Sequence, residues 1–407
     1  MPVSPAAPLL AGLLSPLLGG GLPVRLRAWD GSTAGPDAGL TVVLRSRRAL
    51  RRLLWAPGEL GLARAYVSGD LDVEGDLTEG LRRAWALFRT GELTRPKLGP
   101  AEWGRIARTA ARLGVLGLPP RPPEEEARPS GRPHTQARDR SVIAHHYDLG
   151  NDFYRLVLDP AMAYSCAYYT DPADDLATAQ RAKLDLVCRK LGLRPGMRLL
   201  DVGCGWGALL LHAVEHYGVE ATGVTLSAQQ AEHVRGEITR RGLSGKATVR
   251  LQDYRDLSGE PFDAIASLEM GEHVGAGNYP GYASVLRRMV RSGGPLLLQQ
   301  MSRGATAPGG GAFIESYVAP DMTMVPVGET LGLLENAGFE IRGVEALREH
   351  YAWTVRAWAG QLEKHAEEIV AIAGEGQLRV WRLYLAGGAL AFEENRMGVN
   401  QILAVRS

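Results

Sequence analysis

Cysteine is scarce in this chain of 407 residues, which contains only Cys166, Cys188 and Cys204. Three scattered thiols exclude a disulfide-stapled scaffold, and they form no CxxC pair for a zinc site. We therefore expect no bound metal, and the low cysteine content fits a reducing cytoplasm. The motifs of nucleic-acid-binding modules, such as zinc-finger spacing or an RNP-type aromatic motif, are also missing. We expect no nucleic-acid partner.

Long uninterrupted apolar runs are lacking as well. Residues 1–24 carry no charge, but they contain five prolines and three consecutive glycines. So many helix breakers argue against a membrane-spanning helix, and no basic region precedes the stretch as it would in a secretory signal. Pairs of leucines recur every four residues from Leu9 to Leu18, which predicts one apolar helical face. This face either packs on the N-terminal domain or contacts lipid.

A proline- and charge-rich segment at residues 117–140 divides the chain. It contains six prolines and no apolar periodicity, which is typical of a linker. We predict an N-terminal α+β domain at 1–116 and a second domain at 141–407. Residues 1–120 carry a net charge of +6, whereas the part after the linker carries −6. By composition alone the N-terminal arginines form a solvated surface; the alternative is a surface that docks on anionic phospholipid.

The second domain alternates short apolar runs with helical patterns. Such alternation predicts a mostly parallel sheet with helices on both faces. We predict strands at Met197–Val202, Glu220–Leu226, Ala247–Leu251, Ala264–Leu268, Pro295–Gln300, Phe339–Val344 and Gln401–Arg406.

A glycine-rich turn follows the first of these strands. The segment 203–207 reads GCGWG, and glycines at such a turn let the backbone approach a ligand closely. A dinucleotide site would have GxGxxG spacing and an acid after the second strand. Here the spacing is GxGxG and the second strand ends in Val224-Thr225-Leu226, so both features count against NAD. A tight turn without any ligand is the alternative.

The segment DVGCGWG resembles the S-adenosylmethionine (SAM) loop of class I methyltransferases, and Asp253-Tyr254-Arg255 is similar to their adenine-pocket segment. Further segments extend the resemblance, namely YSCAYY at 164–169, SLEMGEHVG at 267–275, FIESYVAP at 313–320 and EHYAWT at 349–354. In this order they resemble the family of cyclopropane-fatty-acyl-phospholipid synthases and mycolic acid cyclopropane synthases. The resemblance covers 141–407, and residues 57–77 also resemble the N-terminal domain of the phospholipid-acting members.

The resemblance implies a reaction on a cis double bond of a phospholipid acyl chain. The alkene takes the SAM methyl group, a carbocation forms, and loss of a proton from the new methyl closes a cyclopropane ring. In the family a bound bicarbonate is the base. Matched by motif, its cradle here is formed by Cys166, Glu272, Gln299, Met301 and Tyr351. Gln299 stands where the family has histidine, and its amide can donate a hydrogen bond but cannot take up a proton or become charged.

The same resemblance implies a set of SAM contacts along the expected cofactor edge. These are Tyr164, Ser165, Gly203, Gly205, Thr225, Leu226, Gln230, Asp253 and Tyr254. Without the resemblance, Cys166 is more simply a packing residue, and Trp358 belongs either to the core or to an acyl channel.

The same carbocation can give two different products, and the sequence does not decide between the cyclopropane and a branched chain. A hydride shift in the carbocation followed by proton loss gives a methylene branch, which a partner reductase converts to a methyl branch. The segments AWDGSTAGPDAGL and VNQILAVR resemble actinobacterial enzymes of that type as well. A lipid-binding protein that has lost catalysis is a third hypothesis. We expect a cytoplasmic homodimer that docks peripherally on the inner face of an anionic membrane.

Overall fold

The computed structural model describes residues 5–15, 21–37, 39–89, 99–128, 130–147, 149–307 and 311–407. Its helices are α1 (Ala6–Leu14), α2 (Arg47–Trp55), α3 (Glu59–Val67), α4 (Leu77–Arg89), α5 (Pro100–Leu113), α6 (Gln136–Tyr147), α7 (Gly150–Val157), α8 (Leu176–Lys190), α9 (Ala208–Tyr217), α10 (Ala228–Arg240), α11 (Gly271–Val274), α12 (Tyr279–Met289), α13 (Gly311–Phe313), α14 (Val327–Asn336), α15 (Arg348–Lys364) and α16 (Ala366–Glu393). None of these helices is both long and apolar enough to cross a bilayer, within the residues described.

The strands are β1 (Arg25–Arg27), β2 (Thr33–Ala34), β3 (Thr41–Leu44), β4 (Leu71–Glu74), β5 (Arg198–Val202), β6 (Glu220–Thr225), β7 (Ala247–Leu251), β8 (Ala264–Leu268), β9 (Pro295–Arg303), β10 (Phe339–Ala346) and β11 (Met397–Arg406). They form two sheets in two compact units. Unit 1 contains residues 1–126, 311–317 and 374–390, and unit 2 contains 127–310, 318–373 and 391–407. Two segments from beyond the predicted linker thus belong to unit 1, and α6 begins inside that linker.

Unit 1 is built on a four-stranded sheet in the order β2-β1-β3-β4. Ser46 begins α2 by accepting a hydrogen bond from the Arg48 amide, as short polar side chains do at helix starts. The buried Asp70 carboxylate accepts from Arg52 Nε at 2.9 Å. Arg379, from the segment 374–390, lies 4.3 Å over the Tyr66 ring. These ion pairs and ring contacts join distant segments into one α+β unit.

The N-terminal helix α1 contributes to the core of unit 1. Ala6, Ala7 and Leu10 are buried there, which agrees with the packing alternative for these residues. Leu17 and Leu18 lie outside the described residues.

Unit 2 is built on a seven-stranded sheet in the order β10-β11-β9-β8-β5-β6-β7. The strands from β9 to β7 are parallel, and β11 is antiparallel to both β9 and β10. Consecutive residues of β5 point to opposite faces. Leu199 therefore packs in one apolar cluster with α8, α9 and α10, and Leu200 packs in another with α12 and α14. The predicted mostly parallel sheet covered on both faces is confirmed. Each predicted strand is present, β7 and β8 with the predicted bounds and the other five with shifted ends.

Candidate active site

The expected cofactor loop connects β5 to α9 at the carboxyl edge of the sheet. Gly203, Gly205 and Gly207 have φ angles of 80°, 52° and 83°, in the left-handed region that favours glycine. The Gly203 amide donates to the Val224 carbonyl at 3.0 Å, which ties the loop to the end of β6. A Cβ on Gly203 would lie 3.2 Å from Met270 Cβ, so the turn has little room for a side chain.

The end of β6 places further predicted residues beside this loop. Thr225 Oγ1 donates to Gln230 Oε1 at 2.7 Å, and both residues are buried. Ser227 begins α10 by accepting from the Gln230 amide. Leu226 lies half-buried between them. The structure thus brings Thr225, Leu226 and Gln230 together at the carboxyl end of the strand next to the glycine loop.

The segment after β7 carries an ion pair that the sequence analysis missed. The buried Asp253 carboxylate accepts from the Arg255 amide at 2.9 Å and from its Nε and terminal nitrogen at 2.8 Å. Arg255 also pairs with Asp139 at 2.6 Å, and its guanidinium lies 5.2 Å over the Tyr254 ring. Burial raises the pKa of Tyr254 to about 12, so its hydroxyl stays protonated. Asp253 and Tyr254 are therefore held together through Arg255.

A buried lysine holds the loop that contains Tyr164 and Ser165. Lys183 in α8 donates through Nζ to Ser165 Oγ at 2.8 Å, and Gln180 Nε2 donates to the Ser165 carbonyl at 2.8 Å. Burial lowers the pKa of Lys183, while nearby carboxylates, Asp159 first, oppose this effect. No sequence motif marked Lys183, because its role depends on a contact to a loop 18 residues away.

Cys166 contributes backbone groups rather than a reactive thiol. Burial raises the pKa of the thiol well above its usual value, so the sulfur is protonated and a poor nucleophile. Its Sγ donates to the Ala167 carbonyl at 3.3 Å. The Cys166 amide donates to Glu269 Oε1 at 3.3 Å, and its carbonyl accepts from Gln299 Nε2 at 3.2 Å. The packing interpretation therefore describes the side chain, and the polar contacts belong to the backbone.

Two glutamates meet beside Gln299. Gln299 Nε2 donates to Glu269 Oε1 at 3.1 Å, and Glu272 is 1% exposed. Among the described residues, neither Glu272 carboxyl oxygen nor Glu269 Oε2 has a hydrogen-bond partner. Burial raises the pKa of both groups, and the Glu269 charge raises that of Glu272 further. Such a pair holds one proton between two carboxyls.

Tyr351 lies in α15 within a series of aromatic rings. Its ring stacks on Phe392 at 4.5 Å and meets Trp358 edge-on at 6.1 Å. Trp358 lies 5.1 Å from Tyr164. The series continues from Tyr164 through Tyr154 to Trp206 of the glycine loop, with centroid separations of 5.7 and 4.5 Å. A continuous series of contacting aromatic rings, from Trp206 to Phe392, therefore joins the expected cofactor loop to Tyr351.

Most of the predicted residues thus fall into two groups on unit 2, and Tyr164, Ser165 and Tyr351 lie on the loop and helix described above. The glycine loop, Thr225, Leu226, Gln230, Asp253 and Tyr254 lie at the ends of β5, β6 and β7. Cys166, Glu272, Gln299 and Met301 lie around β8 and β9, and their roles stay predictions. The sequence analysis missed Glu269, although a charged residue directly after the apolar strand β8 was a usable signal. In the described part of the chain, no cluster of three or more His, Cys, Asp or Glu residues could hold a metal.

The chain is similar to known methyltransferases and cyclopropane synthases. A family model described as mycolic acid cyclopropane synthetase matches residues 134–402. A probable fatty acid methyltransferase of Mycobacterium tuberculosis is 40% identical over 398 residues, covering 94% of this chain and 91% of that protein. The cyclopropane-fatty-acyl-phospholipid synthase of Escherichia coli is 37% identical over 273 residues, covering 67% and 70%. A crystal structure of a mycolic acid cyclopropane synthase complexed with SAH and CTAB is 33% identical, with a TM-score of 0.63, covering 66% of this chain and 98% of that one.

Proposed function

The chain belongs to the mycolic acid cyclopropane synthetase family of SAM-dependent methyltransferases, and from this premise we propose that it methylates a cis double bond of a phospholipid acyl chain and closes a cyclopropane ring. SAM supplies the methyl group when bound. The alkene electrons form the new carbon–carbon bond, and a carbocation remains on the acyl chain. The names of the cyclopropane synthases among the relatives support the reaction class.

The series of aromatic rings from Trp206 to Phe392 is the observation that carries this proposal. A carbocation in an acyl chain must be kept from water, and aromatic faces stabilise a cation that lies over them. Tyr351 and Trp358 are 6% and 1% exposed, so these rings sit in a water-poor region. The series of rings begins with Trp206 of the glycine loop, where the methyl donor is expected to bind. An apolar substrate is therefore favoured over a polar methyl acceptor.

Bicarbonate, which the resemblance implied as the base, does not fit these residues. The two donors expected to hold it, the Cys166 amide and Gln299 Nε2, already donate to Glu269 Oε1. Glu269 and Glu272 lie side by side there and already carry a negative charge between them, so a further anion would add like charge to the cluster. We derive no step through bicarbonate.

A methylene-branched acyl chain is the second candidate product. The Mycobacterium tuberculosis and Pseudomonas putida proteins that span 94% and 95% of this chain are both described as probable fatty acid methyltransferases. The cyclopropane synthase of Escherichia coli matches only 67% of it. In this alternative a hydride shift precedes proton loss, and a partner reductase then saturates the branch.

Expression in a bacterium rich in cis-unsaturated phospholipids tests the function. Trideuteromethyl methionine is supplied, and fatty acid methyl esters are analysed by mass spectrometry before and after ozonolysis. We expect a cyclopropane chain that retains two deuteriums and resists ozone. An ozone-sensitive chain with two deuteriums identifies the methylene product. Absence of any labelled chain, with purified protein that still binds SAM, contradicts the proposal and supports a lipid-binding protein without catalysis.

An exposed surface of unit 1 fits the proposed phospholipid partner. Trp55 at the end of α2 is 58% exposed, and its indole nitrogen donates to the Gly117 carbonyl at 3.0 Å. Leu118, 84% exposed, therefore lies near it. Arg47 and Arg48 are exposed on the same helix. Aromatic and leucine side chains beside arginines suit the interface of an anionic bilayer, and we propose peripheral docking there, on the cytoplasmic side.

Vesicle sedimentation tests this docking surface. The double variant Trp55→Ser and Leu118→Ser should bind phosphatidylglycerol vesicles about tenfold more weakly, because two apolar side chains no longer enter the interface. The control Val344→Ser removes an exposed apolar residue of unit 2 and should bind as the unaltered protein does. Equal binding by both variants, or binding that high salt does not weaken, contradicts the proposal. The proposed homodimer is checked by analytical ultracentrifugation.

A further inference from the structure

Glu269 is a carboxylate in the candidate active site to which the family resemblance assigned no role. Its Oε1 accepts from the Cys166 amide at 3.3 Å and from Gln299 Nε2 at 3.1 Å. These are two donors that the bicarbonate cradle was expected to use. Its other oxygen, Oε2, is buried and has no partner among the described residues. One oxygen is therefore held by two donors, and the other makes no hydrogen bond within the described residues.

The backbone at Glu269 is strained in a way that fits a functional position. Its φ is 54°, in the left-handed region that a glycine would adopt at lower cost. The Glu269 amide donates to the Gln299 carbonyl at 2.6 Å, so pairing with β9 holds this conformation. Strained residues that the surrounding structure holds in place concentrate at functional sites. The conformation turns the chain directly after β8.

A series of polar side chains orients the donor that faces Glu269. Gln299 Oε1 accepts from Gln401 Nε2 at 2.8 Å, and Gln401 Oε1 accepts from Lys190 Nζ at 2.7 Å. Because Lys190 can only donate, the amide groups of Gln401 and Gln299 are fixed in turn. Gln299 therefore presents its NH₂ group to Glu269, and a carboxylate is the matching acceptor.

A comparison of the hydrogen bonds of Glu269 and Glu272 indicates which of the two carboxyl groups is ionised. Glu272 has no hydrogen-bond donor at either oxygen among the described residues, whereas Glu269 has two donors. Hydrogen bonds to a carboxylate favour its ionised form. Glu269 is therefore the anion of the pair, and Glu272 holds the shared proton.

We propose that Glu269 is the internal base of this enzyme, with its carboxylate in the place expected for a bound bicarbonate. The inference rests on the proposed methyl transfer to an alkene. A C–H bond of the new methyl breaks, its electron pair closes the ring onto the carbocation, and the proton goes to Glu269 Oε2. Water takes this proton after the product leaves. Gln299 and Gln401 act as positioning residues.

The decisive experiment compares Glu269→Gln and Glu269→Gly with the unaltered enzyme in carbon-dioxide-free buffer. Methyl transfer from labelled SAM to unsaturated phospholipid vesicles is measured with and without added bicarbonate or formate. Removal of carbon dioxide should change the methyl-transfer rate of the unaltered enzyme by less than about twofold. The rate of Glu269→Gln should be about 100-fold lower, as expected for loss of a general base. Glu269→Gly frees the two donors, so bicarbonate or formate should restore at least about tenfold. The control Glu340→Gln alters an exposed carboxylate on β10.

Anion binding gives a second readout that needs no substrate. Formate should raise the unfolding temperature of Glu269→Gly but not that of the unaltered protein, and SAM affinity of folded variants should stay within about twofold. A rate of the unaltered enzyme that falls without bicarbonate overturns the inference, as does near-full activity of Glu269→Gln. If Glu269→Gly fails to fold, those two results still decide. If the unaltered protein methylates no lipid, the proposed function fails, and formate stabilising both proteins equally then overturns the placement of Glu269.

Discussion

Two halves of one sheet edge in unit 2 differ in their chemistry. In the cofactor half, at the ends of β5, β6 and β7, the glycine loop that we predict to face SAM lies beside hydroxyl groups and one arginine-bound aspartate. In the acid–base half, around β8, β9 and β11, the buried Glu272 and the part-buried Glu269 lie with the carboxamides of Gln299 and Gln401. The cofactor half combines contacts within single strand–turn–helix segments, such as that of Thr225 with Gln230, with links between segments, such as that of Gly203 with Val224. The acid–base half depends on contacts between strands, so a single change there should alter catalysis without altering cofactor binding.

The largest expected effect belongs to Glu272. Glu272→Gln removes the acid that shares a proton with Glu269, and we expect kcat to fall by about 100-fold with SAM affinity unchanged. Isothermal titration of SAM and a methyl-transfer assay measure the two quantities. The exposed Glu335→Gln serves as control. Near-normal turnover of Glu272→Gln would remove this residue from the acid–base half.

Asp253→Asn should produce the opposite pattern. The substitution weakens the charge-assisted bonds to Arg255, and a bond of this kind is worth about 1.5 kcal/mol or more, which is about tenfold in affinity. We expect SAM to bind about tenfold more weakly, with kcat at saturating SAM nearly unchanged. Asp256→Asn, on the exposed side of the same turn, is the matched control. A lower kcat at unchanged affinity would contradict the division into two halves.

Gln401→Leu should move the pH dependence of the reaction. Burial raises the pKa of Glu269, and the hydrogen bond from Gln299 lowers it. Without Gln401 the Gln299 amide is no longer fixed, so the pKa of Glu269 rises. The base acts as an anion, so activity is lost as pH falls through its pKa, and this acid limb should shift to higher pH.

The pH profile of kcat/KM, recorded for Gln401→Leu and the unaltered enzyme, measures this shift. The other titratable groups that act on Glu269 are Glu272, Cys166 and Lys183, and the substitution leaves all three in place. A purely structural role for Gln401 would lower the rate at every pH and leave the midpoint unmoved.

Cys166→Ala should have the smallest effect. The thiol is buried and protonated, and the groups that contact Glu269 and Gln299 belong to the backbone, which alanine retains. We expect less than about a threefold change in rate, as for a small core substitution that leaves the site intact. A large loss of methyl transfer in the folded variant would show that the sulfur itself acts in the reaction.

Much of the fold could be read from the residues in order. The strands β5 to β9 follow apolar runs, and the glycines at 203, 205 and 207 mark the turn that the structure shows. The membership of 311–317 and 374–390 in unit 1 could not be read in this way. Those segments follow patterns typical of the second domain, and only contacts such as that of Arg379 with Tyr66 place them.

The sequence by itself determined the succession of strands, the glycine loop and the family, because each depends on neighbouring residues or on motifs in fixed order. Only the tertiary structure decided the chemistry of the acid–base half. Glu269 and Gln299 are 30 residues apart, and Gln299 and Gln401 are 102 apart. They meet because β8 and β11 both pair with β9. Burial where these strands meet raises the pKa values of Glu269 and Glu272, and nothing in the sequence around them predicts that rise.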